Sequence, residues 1–426
     1  VTRATGAAMR RIHVGNALSA FGLGFTVPFL YVYVAQVREL GSTTAGLVLA
    51  VFAVAALLVL PFTGRAVDRR GPLPVLIVAL ATAAVGSMSL GLSASTGFVL
   101  ASAAALGAGQ AVMAPALATM IVACSAPEKR TRAFATQFFL QNLGLGVGGL
   151  IGGQIVKHER PGDFTLLFAI EAAMFVLLIG VMATLRLPRS PRIDGSVQAA
   201  GGSGFKALLG NRAMVHLCVL GFVIFFACYG QFESGLSAYG VEAAGISPST
   251  LGIALAANTG AIVVAQFAVL RFVERRRRSR VIASVGIIWA VAWAVAGFAG
   301  LGSSGQAMAT AAFISTYALF GIGEAMLSPT LAPLVADLAP DGMVGRYNSA
   351  FALVKQLALA VGPAVGGPMG ASLHVPYIVT FVLFSLGMAA LALRLGRRLA
   401  PVQDLPSLAA SRIVTGGAQD SVPVHA

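Results

Sequence analysis

The sequence predicts an all-α membrane protein: twelve transmembrane helices arranged as two six-helix bundles related by a pseudo-twofold axis. Three observations carry that reading: a composition too apolar for water, apolar runs of bilayer length, and a second half that repeats the first. Of 426 residues, 57% are hydrophobic and only 10% charged, against about 25% charged in a soluble protein. A helix needs about 20 apolar residues to cross a bilayer. Twelve runs meet that length: 12–37, 43–63, 73–94, 97–122, 133–156, 164–185, 211–239, 248–270, 279–300, 306–336, 345–370 and 374–395. Glycine, at 50 residues, weakens helices in water but suits close helix–helix approach in lipid.

The repeat fixes the organisation. Residues 107–118 align with 321–332 at an offset of 214, with six of twelve positions identical. The same offset carries Arg132 onto Arg346 and Gly148-Gly149-x-x-Gly152-Gly153 onto Gly362-Pro363-x-x-Gly366-Gly367. Upstream, an offset of 206 carries Tyr33 onto Tyr239 and sets Arg65-x-x-Asp68-Arg69-Arg70 on Arg271-x-x-Glu274-Arg275-Arg276. Each half holds six spans, so both copies keep one orientation about an axis along the membrane normal. The expected divisions are bundles at 1–185 and 211–395, a Pro-, Gly- and Ser-rich cytoplasmic linker at 186–210, and a disordered cytoplasmic tail at 396–426.

Charge supplies the orientation. A net charge of +14 is compatible with nucleic-acid binding, but the cations follow the loops. Of 29 Lys and Arg, 25 fall on one side, among them the run Arg275–Arg278. Only Arg38, Lys157 and Arg160 fall on the other, with Lys355 inside a span. This is the positive-inside pattern; it predicts a multi-pass protein of the cell membrane with both termini cytoplasmic and no nucleic-acid partner. Cys124, Cys218 and Cys228 offer no disulfide framework and no metal spacing. The basic start followed by a 25-residue apolar run is read as the first membrane helix.

Between the second and third runs lies Gly64-Arg65-Ala66-Val67-Asp68-Arg69-Arg70-Gly71, expected to be a short charged loop. Its Gly-x-x-x-Asp-Arg-x-Gly spacing resembles the loop 2–3 signature of the major facilitator superfamily, and the duplicated twelve-span layout resembles that family over nearly the whole chain. The drug–proton antiporter group is the most similar branch. Its Gly-Pro-x-x-Gly-Gly run is intact in span 11 at Gly362-Pro363, while span 5 has Gly149 in place of the proline. The arginine common in its span 4 is here Ala103. The resemblance implies a cytoplasmic gate formed by Gly64, Arg65, Asp68, Arg69 and Gly71 with the repeat counterparts Arg271, Glu274 and Arg275. It also implies a glycine face on span 5 (Gly144, Gly148, Gly149, Gly152, Gly153) packing at the seam between halves, matched by Gly362, Pro363, Gly366 and Gly367. Gly144-x-Gly146-x-x-Gly149 has no preceding strand and is no dinucleotide site.

Ionisable residues inside spans are costly and mark function. Four occur: Glu171, Glu233, Glu324 and Lys355. Glu171 is expected to snorkel from a peripheral helix, and Glu233 to stand at the cavity mouth or the outer interface. Glu324 and Lys355 lie at depths differing by roughly 6 Å, within reach of a long lysine, and align with Gln110 and Gln141. If they meet, their attraction would govern the glutamate's affinity for a proton and offer a route to proton coupling; the plainer reading is an ion pair that only locks spans 10 and 11. Asn16, Gln110, Gln137, Gln141, Asn142, Tyr229, Asn258, Gln266 and Gln356 are candidates to line a substrate cavity. Trp289 and Trp293 suit packing or lipid contact.

The expected activity is therefore secondary transport, with proton-coupled efflux of small organic molecules ahead of a proton-coupled uptake symporter and a non-transporting sensor. No lysine follows a glycine, so there is no phosphate-binding loop, and the histidines show no His-Glu-x-x-His. No enzymatic role, cofactor or metal is expected. The expected partners are a small-molecule substrate, protons and the lipid bilayer, with the protein working as a monomer.

Overall fold

The computed structural model describes residues 2–26, 29–93, 95–156, 160–185, 187, 208–232, 234–301 and 305–405. These residues are almost entirely helical, and no strand occurs among them. The first half runs α1 (Thr2–Gly24), α2 (Gly41–Arg70), α3 (Pro72–Leu92), α4 (Thr96–Cys124), α5 (Pro127–Ile155) and α6 (Pro161–Ala183). The second runs α7 (Arg212–Ile224), α8 (Gly235–Glu242), α9 (Pro248–Val273), α10 (Arg278–Ala299), α11 (Gln306–Asp337), α12 (Val344–Ser372) and α13 (His374–Gly396), with a short α14 (Pro401–Asp404) after it. Proline opens α3, α5, α6 and α9, where its missing N–H costs nothing. Apolar side chains such as Phe62, Leu150 and Val264 are exposed, as a surface bathed in acyl chains requires.

Ten of these helices are long and apolar enough to cross a membrane; α1 and α5 are the remaining two of the twelve spans. Those two carry Asn16, Gln137, Gln141 and Asn142, and α5 is rich in glycine. They pack on each other. Each half has its own core. One gathers Tyr33, Phe164, Phe168 and Phe175; the other gathers Trp289, Trp293, Phe313 and Phe381. Both tryptophans are wholly buried, so they pack rather than meet lipid.

The duplication is legible in atoms. Tyr33 donates to the Gly91 carbonyl at 3.1 Å, and its counterpart Tyr239 donates to the equivalent Gly297 carbonyl at 3.3 Å. A Cβ on Gly107 would meet the Phe52 carbonyl oxygen at 2.5 Å, and one on Gly321 the Asn258 carbonyl oxygen at 2.5 Å. Both pairs obey the offsets of 206 and 214 found in the sequence. These are close helix crossings that only glycine permits.

Several expectations need correction. The charged stretch after residue 63 is not a loop: α2 continues through Arg70, and the chain turns at Gly71, where φ is +86°. Arg69 and Arg70 sit in the last helical turn, where cations favour the negative end of the helix dipole. Spans 1 and 7 are each interrupted. After α1 the chain resumes at Leu30–Val32 and a π-helical Tyr33–Val37; after α7 a π-helical Phe225–Tyr229 precedes the break before α8. The tail is ordered to residue 405. Asp404 accepts from the Ser279 N–H at 2.8 Å and the Ser279 hydroxyl at 3.0 Å, capping α10. Residues 406–426 and most of 186–210 lie outside the described residues.

Candidate functional site

Glu324 sits mid-way along α11 and is 4% exposed. Its Oε1 accepts from Asn258 Nδ2 of α9 at 2.8 Å, and Tyr229, at the end of the π-helical turn, is near enough to act on it. Asn258 is itself held, donating to the Tyr317 carbonyl at 3.2 Å. Lys355 of α12 faces the same region, near enough for its charge to act on Glu324, yet the two make no ion pair within 4.0 Å. The direct pair anticipated from helix depth is thus not closed here. Instead the ammonium lies 5.1 Å from the Phe225 ring centroid, a cation–π contact. Lys355 is exposed although protein surrounds it at longer range, as a side chain lining an interior cavity would be.

The polar candidates separate into groups. Gln141 of α5 is exposed and Gln356 of α12 half-buried. Gln266 is 3% exposed and neither its Nε2 nor its Oε1 has a partner, so it is the amide with most to gain from a ligand or water. Neighbouring Phe267 touches Phe139 of the other half, ring centroids 5.5 Å apart. Asn16 is bound to the Gln137 carbonyl at 3.2 Å, tying α1 to α5, and Asn142 to its own helix at Phe138. Gln110 is drawn into the first half, donating to Glu171 at 3.2 Å. Glu171 does not snorkel. It is 0% exposed, and Ser87 donates to its other oxygen at 2.6 Å; facing hydroxyl and amide groups on α3 and α4 satisfy it inside the bundle. Glu233 lies outside the described residues.

The glycine face also differs from expectation. Gly144, Gly148 and Gly152 pack on α1 within their own half, against Ala17, Phe21 and Phe25, not across the seam. A Cβ on Gly149 would be 3.7 Å from the Gly24 carbonyl oxygen, and one on Gly153 would meet nothing within 4 Å. In the second half Gly362 meets Gly230 and Gly366 meets Gln231 where span 7 is broken; Pro363 lies within α12, and Gly367 meets nothing.

Among the described residues, the most closely tied contact between the halves is where α2 meets α12. Asp68 Oδ1 accepts from the Gly345 N–H at 2.7 Å, Oδ2 accepts from the Arg346 N–H at 3.2 Å, and the Arg346 Nε is 3.4 Å away. The carboxylate thereby satisfies two of the free N–H groups at the start of α12. Gly64 lets the helices touch: a Cβ there would be 2.6 Å from Arg346 Cα. The counterpart by repeat, Glu274, reaches Arg132 at 3.6 Å across the same seam, but Arg132 is 71% exposed. Arg65, Arg69, Arg271 and Arg275 are exposed and unpaired among the described residues. A third contact was not anticipated. Asp337, closing α11, pairs with Arg130 of the first half and with Arg278 at 2.7 Å. Its counterpart by repeat is Ala123, so the repeat could not flag it. Nearby, Asn348 donates to Thr119 at 3.3 Å.

Comparison with known proteins follows the same outline. A family model described as Major Facilitator Superfamily matches residues 12–363. The uncharacterized MFS-type transporter YhjO of Bacillus subtilis is 23% identical over 83% of this chain and 84% of its own length. Multidrug resistance protein 1 of Bacillus subtilis is 24% identical over 88% of this chain and 93% of its own. The solved structure of FucP in the outward conformation superimposes with a TM-score of 0.76 at 14% identity, covering 91% of this chain and 97% of that one.

Proposed function

Because the chain belongs to the major facilitator superfamily, we propose that it is a proton-coupled exporter of small organic molecules, drugs or metabolites, working by alternating access. The observation that carries this reading is Glu324, a carboxylate deep in the second half, bonded to Asn258, with Tyr229 and the counter-charge of Lys355 close by. A carboxylate at that depth is costly to bury, and one facing a titratable cation there marks a functional site. It is the candidate proton carrier. Lys355 is its movable counter-charge: a ligand or a helix shift that draws the ammonium away leaves the carboxylate to take a proton instead. Protonation in turn weakens charge-assisted bonds to neutral ones, loosening α9 and α11 around the site.

The gate supplies the second half of the cycle. With both termini cytoplasmic, as the arginine distribution predicts, the end closed by Asp68 and Asp337 is the cytoplasmic one, and the cavity then opens outward. Release of those carboxylates allows the halves to rock and expose the cavity to the cytoplasm. Export is supported by the name of the relative Multidrug resistance protein 1.

The test is ethidium flux in proteoliposomes under an imposed pH gradient. The wild-type protein is expected to move the dye against the proton flow. Glu324→Gln is expected to keep dye exchange and lose its dependence on the gradient. A Glu324→Gln protein with full gradient-driven flux would sink the assignment.

A further inference from the structure

Beside the Asp68 contact, a pocket of about 440 Å³ opens between the halves, walled by α2 on one side and the start of α12 on the other. Four arginines line it: Arg65, Arg69, Arg70 and Arg346. Among the described residues Arg65, Arg69 and Arg70 have no acidic partner, and the one carboxylate nearby, Asp68, is committed to Arg346 and the α12 amides. Ser349 also lines the pocket; it is 3% exposed and its hydroxyl has no partner. The remaining wall is apolar, including Leu60, Pro61 and Leu353. Along α2 this wall runs into Phe62 and Leu58, 74% and 66% exposed. Residues 58, 62, 65 and 69 fall three or four apart, so one helix face passes from bare hydrocarbon-facing side chains to cations.

We propose that this pocket binds an anionic phospholipid, its phosphate held by Arg65, Arg69, Arg70 and the Ser349 hydroxyl and an acyl chain laid along Phe62 and Leu58. Charge and apolar surface are complementary to that one class of molecule. A free anion would use the arginines but not the greasy stripe; a detergent-like neutral lipid would use the stripe but not the arginines. Guanidinium forks suit phosphate oxygens, and basic pockets between membrane helices suit such headgroups. The pocket has one wall from each half, so it exists in this form only while α2 and α12 adjoin. A lipid seated there therefore favours the state closed at this end, by linkage.

The test is native mass spectrometry of the full chain purified from mixed micelles containing phosphatidylglycerol and phosphatidylcholine. The wild type is expected to retain phosphatidylglycerol. Arg65→Gln/Arg69→Gln/Arg70→Gln is expected to bind it about 100-fold more weakly. The equally discharged control Arg394→Gln/Arg397→Gln/Arg398→Gln, altered at exposed positions ending α13, is expected to retain it. Ala350→Phe, which fills the pocket and keeps every arginine, is expected to lose it as well. Equal loss in both triple variants would reduce the effect to general surface charge and overturn the proposal. So would retention by Ala350→Phe, absence of bound lipid in the wild type (the pocket then serving another occupant), or displacement by millimolar inorganic phosphate, which would mark a free-anion site.

Discussion

Replacing Asp68 by asparagine is expected to open the end of the molecule where the two halves are bound together. One carboxylate there receives two backbone N–H bonds, at 2.7 and 3.2 Å, and a guanidinium contact at 3.4 Å, and its side chain is 6% exposed. Asparagine keeps one acceptor oxygen, so one bond survives. What disappears is the charge: hydrogen bonds to charged groups contribute about 1.5–3 kcal/mol, and an anion at a helix N-terminus adds about 0.3–2 kcal/mol. Taking about 3 kcal/mol as the loss, the equilibrium between closed and open moves roughly 100-fold. A state held closed at about 100:1 would fall to about even. The assay is double electron–electron resonance in nanodiscs, on a background lacking Cys124, Cys218 and Cys228, with labels at Ala126→Cys and Asp341→Cys across the seam. One short distance is expected without the further change and two distances with Asp68→Asn. Glu274→Gln is the comparison, because its 3.6 Å pair with a 71% exposed arginine contributes about 1 kcal/mol or less. A distance distribution unmoved by Asp68→Asn, or moved equally by Glu274→Gln, would refute the reasoning.

Other outcomes follow from the same geometry. Glu324→Gln combined with Lys355→Gln should fold and insert normally but lose gradient-driven flux in proteoliposomes, because a neutral pair replaces the charged one as Gln110 and Gln141 do in the first half; full coupling in that variant would leave the pair a structural role only. Gly148→Val places a branched side chain against the Phe21 backbone on α1 and should lower stability by about 1–3 kcal/mol, visible as a drop in melting temperature in detergent. Gly153→Ala, with open space around it, should melt with the wild type. Asp404→Ala removes the cap on α10 and should cost about 0.5–2 kcal/mol in the same melt; no change would mean the tail leaves α10 in solution.

The architecture was legible because lipid imposes it. Length, apolarity and the offsets of 206 and 214 predict spans and their duplication, and the alignment of Tyr33 with Tyr239 reappears as matched contacts to Gly91 and Gly297. What escaped were features set by contacts between distant residues. Arg65 to Arg70 read as a loop because charges end apolar runs, yet they continue α2, where the dipole and the opposing α12 favour them. The π-helical turns at Tyr33–Val37 and Phe225–Tyr229 leave no mark in hydropathy, since both fall inside the apolar runs 12–37 and 211–239. Glu171 looked peripheral because its helix is so placed in the resembled family; its partners Ser87 and Gln110 lie 84 and 61 residues away, and nothing local announces them. Asp337 gave no signal at all, its repeat counterpart Ala123 being uncharged and no motif covering it. Glu324 and Lys355 stood out because charge in a span is rare, but only the packing reveals that Asn258 holds the carboxylate while the ammonium rests on the Phe225 ring.

The two repeat-related clasps, Asp68 with Arg346 and Glu274 with Arg132, are unequal twins. One is dry and triply tied; the other is wet and slack. A duplicated machine with matched clasps would have to undo both at once. On the cycle proposed above, this one would give first at Glu274 and hold longest where the carboxylates of Asp68 and Asp337 are tied.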